Sequence, residues 1–166
     1  MSAESSTELH VSLPVQAPRA TADTSPLVTR LADSFGATWV DIDTIDAWAA
    51  QGGDRVVLFA GDAVRFPEGQ DVAVVLPELQ RCLPGRFVIG VVRRHLEDAL
   101  ARRFGSQRWP ALLFLRDGQY VTTLPGMHDW DDFLRKTEAA LAAPVSRPPT
   151  IGIPLVSAAG GDSGCH

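Results

Sequence analysis

Residues 55–83, RVVLFAGDAVRFPEGQDVAVVLPELQRCL, contain the pattern that decides the fold. An apolar run at 55–60 predicts a strand, a polar loop follows from Gly61, and the apolar spacing after Asp71 predicts a helix that contains Pro77. In α/β proteins, ligands commonly bind where such a strand ends beside the N-terminus of a helix. We therefore expect the functional site in this loop, which is acidic and contains no cysteine.

The bulk composition is that of a globular protein with one folded domain. The 166 residues are 45% hydrophobic and 21% charged, and the formal net charge is -5. A chain of this length can bury one core. The excess of carboxylates and the lack of a Lys/Arg-rich run argue against nucleic acid or an anionic membrane as the partner, because both require clustered cations. A basic peptide or protein suits this surface better.

Neither export nor membrane insertion is predicted. The N-terminus, MSAESSTELH, has no basic start followed by an apolar run, and no segment approaches the roughly 20 apolar residues of a membrane span. The two cysteines, Cys82 and Cys165, are too few for a disulfide framework or a zinc site. We expect a cytoplasmic protein without a cofactor.

Outside the central stretch, the apolar patterns predict strands and helices in alternation. Residues 1–25 are rich in Ser, Thr, Ala and Pro and residues 144–166 in Pro and Gly, which predicts a flexible arm and a flexible tail around one domain at 26–143. Within that domain we expect helices after Ser25, after Thr44, at 95–104 and at 128–143, strands at 38–43 and 86–92, and a β-hairpin formed by 111–115 and 120–124.

This order resembles the thioredoxin fold, in which helices flank a central mixed sheet. Pro77 lies where that fold has a proline in its active-site helix, Trp109-Pro110 lies where it keeps a cis-proline, and Asp117-Gly118 lies at its hairpin turn. Counting back from Pro77, the two cysteines of the redox Cys-x-x-Cys motif would fall at the ends of 69–72. Both are absent, so the resemblance implies the fold without its usual dithiol chemistry.

A chain of this kind with Pro67-Glu68 in the site loop resembles the hydrogenase expression proteins of the HyaE/HupG/HoxO type. The resemblance implies a non-catalytic, cytoplasmic chaperone in maturation of nickel-iron uptake hydrogenase. Such a chaperone binds the small-subunit precursor and its twin-arginine signal peptide before export, and another hydrogenase accessory protein is a second candidate partner.

The candidate partner-binding residues are four carboxylates and one turn: Asp62, Glu68, Asp71, Glu78, Trp109 and Pro110. Carboxylates form strong, specific pairs with the guanidinium groups of a basic partner. The structural alternative is that Asp71 caps the helix that starts at Val72, and we favour that role for Asp71. The Trp109-Pro110 turn could add an extended peptide by strand pairing, although Trp109 is more often a core residue.

Two other functions remain open, a thiol-disulfide oxidoreductase using Cys82 or Cys165 and a structural subunit of another assembly. Dithiol chemistry needs a low-pKa thiolate and a nearby resolving thiol. We expect Cys82 to be buried on the apolar side of its helix. Cys165 and His166 offer only two ligands on a flexible end, which is too few to hold a metal ion.

Overall fold

A computed structural model describes residues 24–150, in which helices cover both faces of a five-stranded mixed sheet. The strands are β1 (Thr38–Trp39), β2 (Asp54–Phe59), β3 (Val88–Val91), β4 (Ala111–Arg116) and β5 (Gln119–Pro125). The helices are α1 (Pro26–Phe35), α2 (Ile45–Ala49), α3 (Glu68–Cys82), α4 (Arg94–Arg103) and α5 (Trp130–Ala142). The predicted α/β architecture is confirmed, whereas most of the predicted arm and tail, with Cys165 and His166, lies outside the described residues.

The strand order β1-β3-β2-β4-β5 makes β2 the central strand. β1, β3 and β2 run parallel to one another, and β4 and β5 are antiparallel to their neighbours. We expected the run at 86–92 to lie in the middle of the sheet. It is an interior strand, but β2 is the one paired with a parallel neighbour on one side and an antiparallel neighbour on the other.

The apolar run of β2 is continuous because the strand is buried on both faces. Val56 and Leu58 belong to the core that packs under α1, α3 and α5, whereas Val57 and Phe59 belong to the core under α2 and α4. The strand is therefore held rigidly between two apolar layers. Its carboxyl end delivers Ala60 and Gly61 to the site loop.

Local sequence signals explain several element ends. The Ser25 hydroxyl accepts a hydrogen bond from the Leu27 N–H and caps α1, and α1 ends at Gly36 with a φ of 69°. The predicted hairpin turn is confirmed at Asp117 and Gly118, whose φ values of 50° and 82° are those of the turn that joins twisted antiparallel strands.

Two element boundaries differ from the prediction. The strand expected at 38–43 is only two residues long, because the Asp41 carboxylate accepts hydrogen bonds from the N–H groups of Asp43 and Thr44 and turns the chain into α2. α3 begins at Glu68 rather than near residue 72, since its first turn packs on the end of β2 through the buried Gly69.

Cys82, which we expected to be buried, is exposed, and so is Trp130. Cys82 is the last residue of α3 and faces solvent, because the core contacts at this end of the helix are made by Leu79 and Leu83. Trp130, the first residue of α5, is 41% exposed. The buried stripe of α5 starts one turn later, at Phe133.

Candidate functional site

The end of β2 is fixed by a buried carboxylate that the sequence analysis did not identify. Glu97 of α4 is 1% exposed; its Oε1 accepts a hydrogen bond from the Ala60 N–H at 2.8 Å, and its Oε2 accepts one from the Gly61 N–H at 2.9 Å. Glu97 lies on the same helical stripe as the buried Leu100 and Ala101, so its spacing is the signal that could have identified it.

Burial raises the pKa of Glu97 to about 7. The two backbone hydrogen bonds act in the opposite direction, as does the Arg94 guanidinium, whose Nη1 lies 3.6 Å from Oε2 of Glu97. The nearby Asp98 carboxylate adds to the rise. Desolvation outweighs the stabilising contacts, so this carboxyl group changes its charge near neutral pH.

The Asp62 carboxylate is hydrogen-bonded to the backbone of the site loop and stabilises the shape of this loop. Its side chain is buried, and its Oδ1 accepts hydrogen bonds from the N–H groups of Val64 and Arg65, both at 2.9 Å. The Arg65 N–H is the main cause that lowers the pKa of Asp62. The Asp62 carbonyl also accepts a hydrogen bond from the Phe66 N–H, and the loop is thus a tight turn built around this aspartate.

The four candidate carboxylates do not form one cluster. Glu68 and Asp71 are exposed in the first turn of α3, and because the helix begins at Glu68, the prediction that Asp71 is the capping residue was wrong. Glu78 lies ten residues beyond Glu68, about 15 Å along the helix at 1.5 Å per residue. It forms an exposed ion pair with Arg81.

The Trp109-Pro110 turn lies directly against the site loop. Its peptide bond is cis, and the Trp109 ring packs on the Phe66 ring with centroids 5.9 Å apart. A Cβ atom on Gly61 would lie 2.9 Å from the Trp109 Cβ, so only glycine allows this approach. The Pro110 carbonyl accepts the Gly126 N–H, whereas the N–H and C=O of Trp109 have no hydrogen-bond partner within residues 24–150.

The first cysteine position of the redox motif is closed to any side chain. A Cβ atom on Gly69 would lie 2.0 Å from the carbonyl oxygen of Ala60, far inside van der Waals contact. The second position, Val72, is 1% exposed. In this backbone the two positions serve to pack α3 against β2, and they cannot present an accessible pair of thiols.

The described part of the chain, residues 24–150, was compared with the requirements of metal sites, thiol pairs and membrane spans. There, no three His, Cys, Asp or Glu side chains are grouped closely enough to hold a metal ion. Cys82 is fourteen residues from Glu68, about 20 Å along α3. None of the helices between residues 24 and 150 is both long and apolar enough to cross a membrane.

The site loop also presents an apolar tip. Val64 is 85% exposed, the largest exposure among the large apolar side chains of the described residues. Phe66 and Trp109, both half-buried, continue the apolar surface from this tip to the cis-proline turn. An exposed apolar patch of this kind commonly marks an interaction site.

The sequence and fold were compared with those of known proteins. Residues 27–133 match the family described as Hydrogenase-1 expression protein HyaE. The chain is 58% identical over 143 residues to the hydrogenase expression/formation protein HoxO of Cupriavidus necator, covering 85% of this chain and 88% of the relative. It is 38% identical over 125 residues to HupG of Rhizobium leguminosarum bv. viciae, covering 73% and 84%.

Among solved structures, a mutant thioredoxin from Halobacterium salinarum superposes with a TM-score of 0.53, covering 63% of this chain and 90% of that one. At 19% sequence identity, this likeness shows the thioredoxin-like fold alone. The sequence matches identify the family, since they extend over most of the chain and most of each relative. The chain belongs to the HyaE family of hydrogenase expression proteins.

Proposed function

We propose that this protein is a non-catalytic chaperone of nickel-iron uptake hydrogenase maturation, which binds the small-subunit precursor and its twin-arginine signal peptide in the cytoplasm before export. Relatives named hydrogenase expression/formation proteins support the hydrogenase role. Precursor binding is our inference from the site. A second hydrogenase accessory protein is a further candidate partner.

The observation that carries this proposal is that the Trp109 backbone has no hydrogen-bond partner within residues 24–150, while Glu68 and Asp71 are exposed in the first turn of α3. An extended peptide can pair with the N–H and C=O of Trp109, which are unpaired in the described part of the chain, as in strand addition. Glu68 and Asp71 can accept hydrogen bonds from the arginines of the signal peptide. The exposed Val64 can contact the apolar segment that follows the basic region of such peptides.

Asp62 and Glu78 are less suited to this role than we expected from the sequence. Both hydrogen bonds to Oδ1 of Asp62 come from the loop itself, and Glu78 already pairs with Arg81. The proposed partner surface therefore consists of Val64, Glu68, Asp71 and the Trp109-Pro110 turn. Asp62 supports that surface by holding the loop in shape.

A double charge reversal, Glu68→Lys with Asp71→Lys, is expected to weaken binding of the small-subunit precursor at least tenfold, because each lost carboxylate–guanidinium pair contributes roughly 1 kcal/mol or more. Titration calorimetry of the precursor against the full chain measures this. Glu78→Lys is the matched control, since it reverses an exposed carboxylate of the same helix about 15 Å away. Equal affinity of the double variant and the wild type would refute the carboxylate role.

The alternative function, a thiol-disulfide oxidoreductase using Cys82, is favoured only by the exposure of that thiol. Cys82 is the only cysteine in the described residues, so no resolving thiol lies near it there. In an insulin-reduction assay, we expect the wild type and the Cys82→Ser variant to show the same background rate. A wild-type rate above background that is lost in Cys82→Ser would establish the redox function instead.

A further inference from the structure

A basic pocket lies between α4 and the site loop, on a protein whose formal net charge is -5. The pocket has a volume of about 370 Å³, and its charged lining residues are three arginines and one aspartate: Arg65, Arg94, Arg102 and Asp98. Phe66 and Trp109 form its apolar wall. With three arginines and one aspartate, the residues that line the pocket carry a net charge of +2.

Two of the three guanidinium groups are available to a ligand. Arg94 pairs with Asp98 at 3.0 Å and faces Glu97 at 3.6 Å, so its charge is largely compensated. The guanidinium groups of Arg65 and Arg102 form no ion pair within 4.0 Å among residues 24–150. The pocket therefore offers two guanidinium groups that are not held in an ion pair in this part of the chain, although the charge of Arg65 also acts on the Asp62 carboxylate.

Two donor atoms at the pocket are also unsatisfied. The indole Nε1 of Trp109 and the Nε of Arg94 are buried, and neither has an acceptor in the described part of the chain. A buried N–H without an acceptor costs roughly 1–3 kcal/mol. Both of these atoms are buried, so it is the exposed Arg65 and Arg102 side chains that favour a ligand rich in acceptor oxygens.

A second cavity of about 320 Å³ adjoins the pocket at the Phe66–Trp109 ring pair. The two cavities share Phe66, Gln107 and Trp109, and the second adds Arg108, Pro125 and Gly126. Together they form a groove with positive charge at both ends and two aromatic rings between. A groove of this form suits an extended chain better than a single small anion.

We propose that this groove binds an acidic, extended segment of a partner protein, with carboxylates on Arg65 and Arg102 and an apolar side chain against Phe66 and Trp109. Arginine forms bidentate pairs with carboxylates, and aromatic anchors dominate the energy of many protein interfaces. The ligand has the opposite charge to a twin-arginine peptide. Both ligands would contact Trp109, so they would compete for that residue, but the binding of an acidic segment does not require the precursor-binding function proposed above.

Fluorescence anisotropy of the full chain with a fluorescein-labelled peptide, EELFEDLE, tests the proposal. We expect Arg65→Glu and Arg102→Glu each to weaken binding at least about tenfold, since each reverses a charge at the contact. Arg86→Glu is the matched control, because Arg86 is exposed just before β3, at the opposite end of the parallel strands from Gly61. A peptide with Gln and Asn in place of Glu and Asp should not bind.

Several outcomes would overturn the proposal. Equal weakening by Arg86→Glu would show attraction to overall charge, and competition by inorganic phosphate at the peptide's own concentration would show a small-anion site. Tighter binding of a single-stranded oligonucleotide would assign the groove to nucleic acid. If a variant fails to fold, NMR spectra of the wild type provide the test. The indole N–H signal of Trp109, assigned by its absence in Trp109→Phe, must shift when the peptide is added. An unshifted signal also overturns the proposal.

Discussion

Replacing Glu97 with glutamine is expected to change how the stability of the protein depends on pH. In the wild type, the pKa of this buried carboxyl is about 7 in the folded state, above its ordinary value of 4.5. The folded state therefore holds the proton more tightly than the unfolded state between these two values. The resulting stabilisation is complete below pH 4.5 and is lost as the pH rises through 7.

From pH 5 to pH 8, this titration should remove about 2 to 3 kcal/mol of wild-type stability. The Glu97→Gln variant cannot lose a proton, so its stability should not contain this component. At pH 5 the variant should be less stable by about 1 to 3 kcal/mol, because its amide can accept only one of the Ala60 and Gly61 N–H bonds. At pH 8 the difference should close or reverse.

Urea unfolding of both proteins at pH 5, 6, 7 and 8 measures this change. All other titratable groups are common to the two chains, so the difference between the curves isolates Glu97. Glu78→Gln is the control, because it makes the same substitution at an exposed carboxylate of another helix. Parallel curves for Glu97→Gln and the wild type would contradict the raised pKa.

Replacing Gly69 with alanine is expected to lower the free energy of unfolding by about 2 kcal/mol or more. The new Cβ would lie 2.0 Å from the Ala60 carbonyl oxygen and 2.9 Å from its carbon, both backbone atoms of a buried strand end that cannot rotate away. Overpacking of this kind costs about 1–3 kcal/mol and sometimes more. The higher helix propensity of alanine stabilises the folded state by at most about 1 kcal/mol, which offsets only part of this cost.

Gly85→Ala provides the matched control for this effect. Gly85 has a φ of 71° and open space around it, so alanine there meets only the backbone penalty of about 1–2 kcal/mol. Gly69 lacks a positive φ. If Gly69→Ala loses more free energy of unfolding than Gly85→Ala, the excess must come from the contact with Ala60. Thermal and urea unfolding of both variants decide the point, and an unchanged stability of Gly69→Ala would show that α3 can move away from β2.

The fold could be predicted because its signals are local. Short sequence patterns were enough to predict three features: the strand β2, the cap at Ser25 and the turn at Asp117-Gly118. The position of Trp109-Pro110 added to the resemblance to the thioredoxin fold. One error occurred where a contact with a residue outside the element decides the outcome. α3 starts earlier than its apolar spacing indicates because Gly69 packs on Ala60, a residue of another element.

The site was harder to predict than the fold, since its charges come from separate segments. Arg65 lies in the loop and Arg102 on α4, and nothing in the sequence shows that they line one pocket. The net charge of -5 indicated an acidic surface and concealed this local excess of arginine. Glu97 was overlooked because a carboxylate in an amphipathic helix is usually solvated; here it replaces an apolar residue on the buried stripe.

The contact between Gly69 and the Ala60 carbonyl has a consequence for the ancestry of this fold. A thioredoxin-like protein that merely exchanged its two cysteines could regain them by two point mutations. In this chain, restoring a cysteine at position 69 would first require the start of α3 to move off the strand, with changes elsewhere in the core. A single substitution at position 69 is therefore not enough to place a thiol there in this backbone.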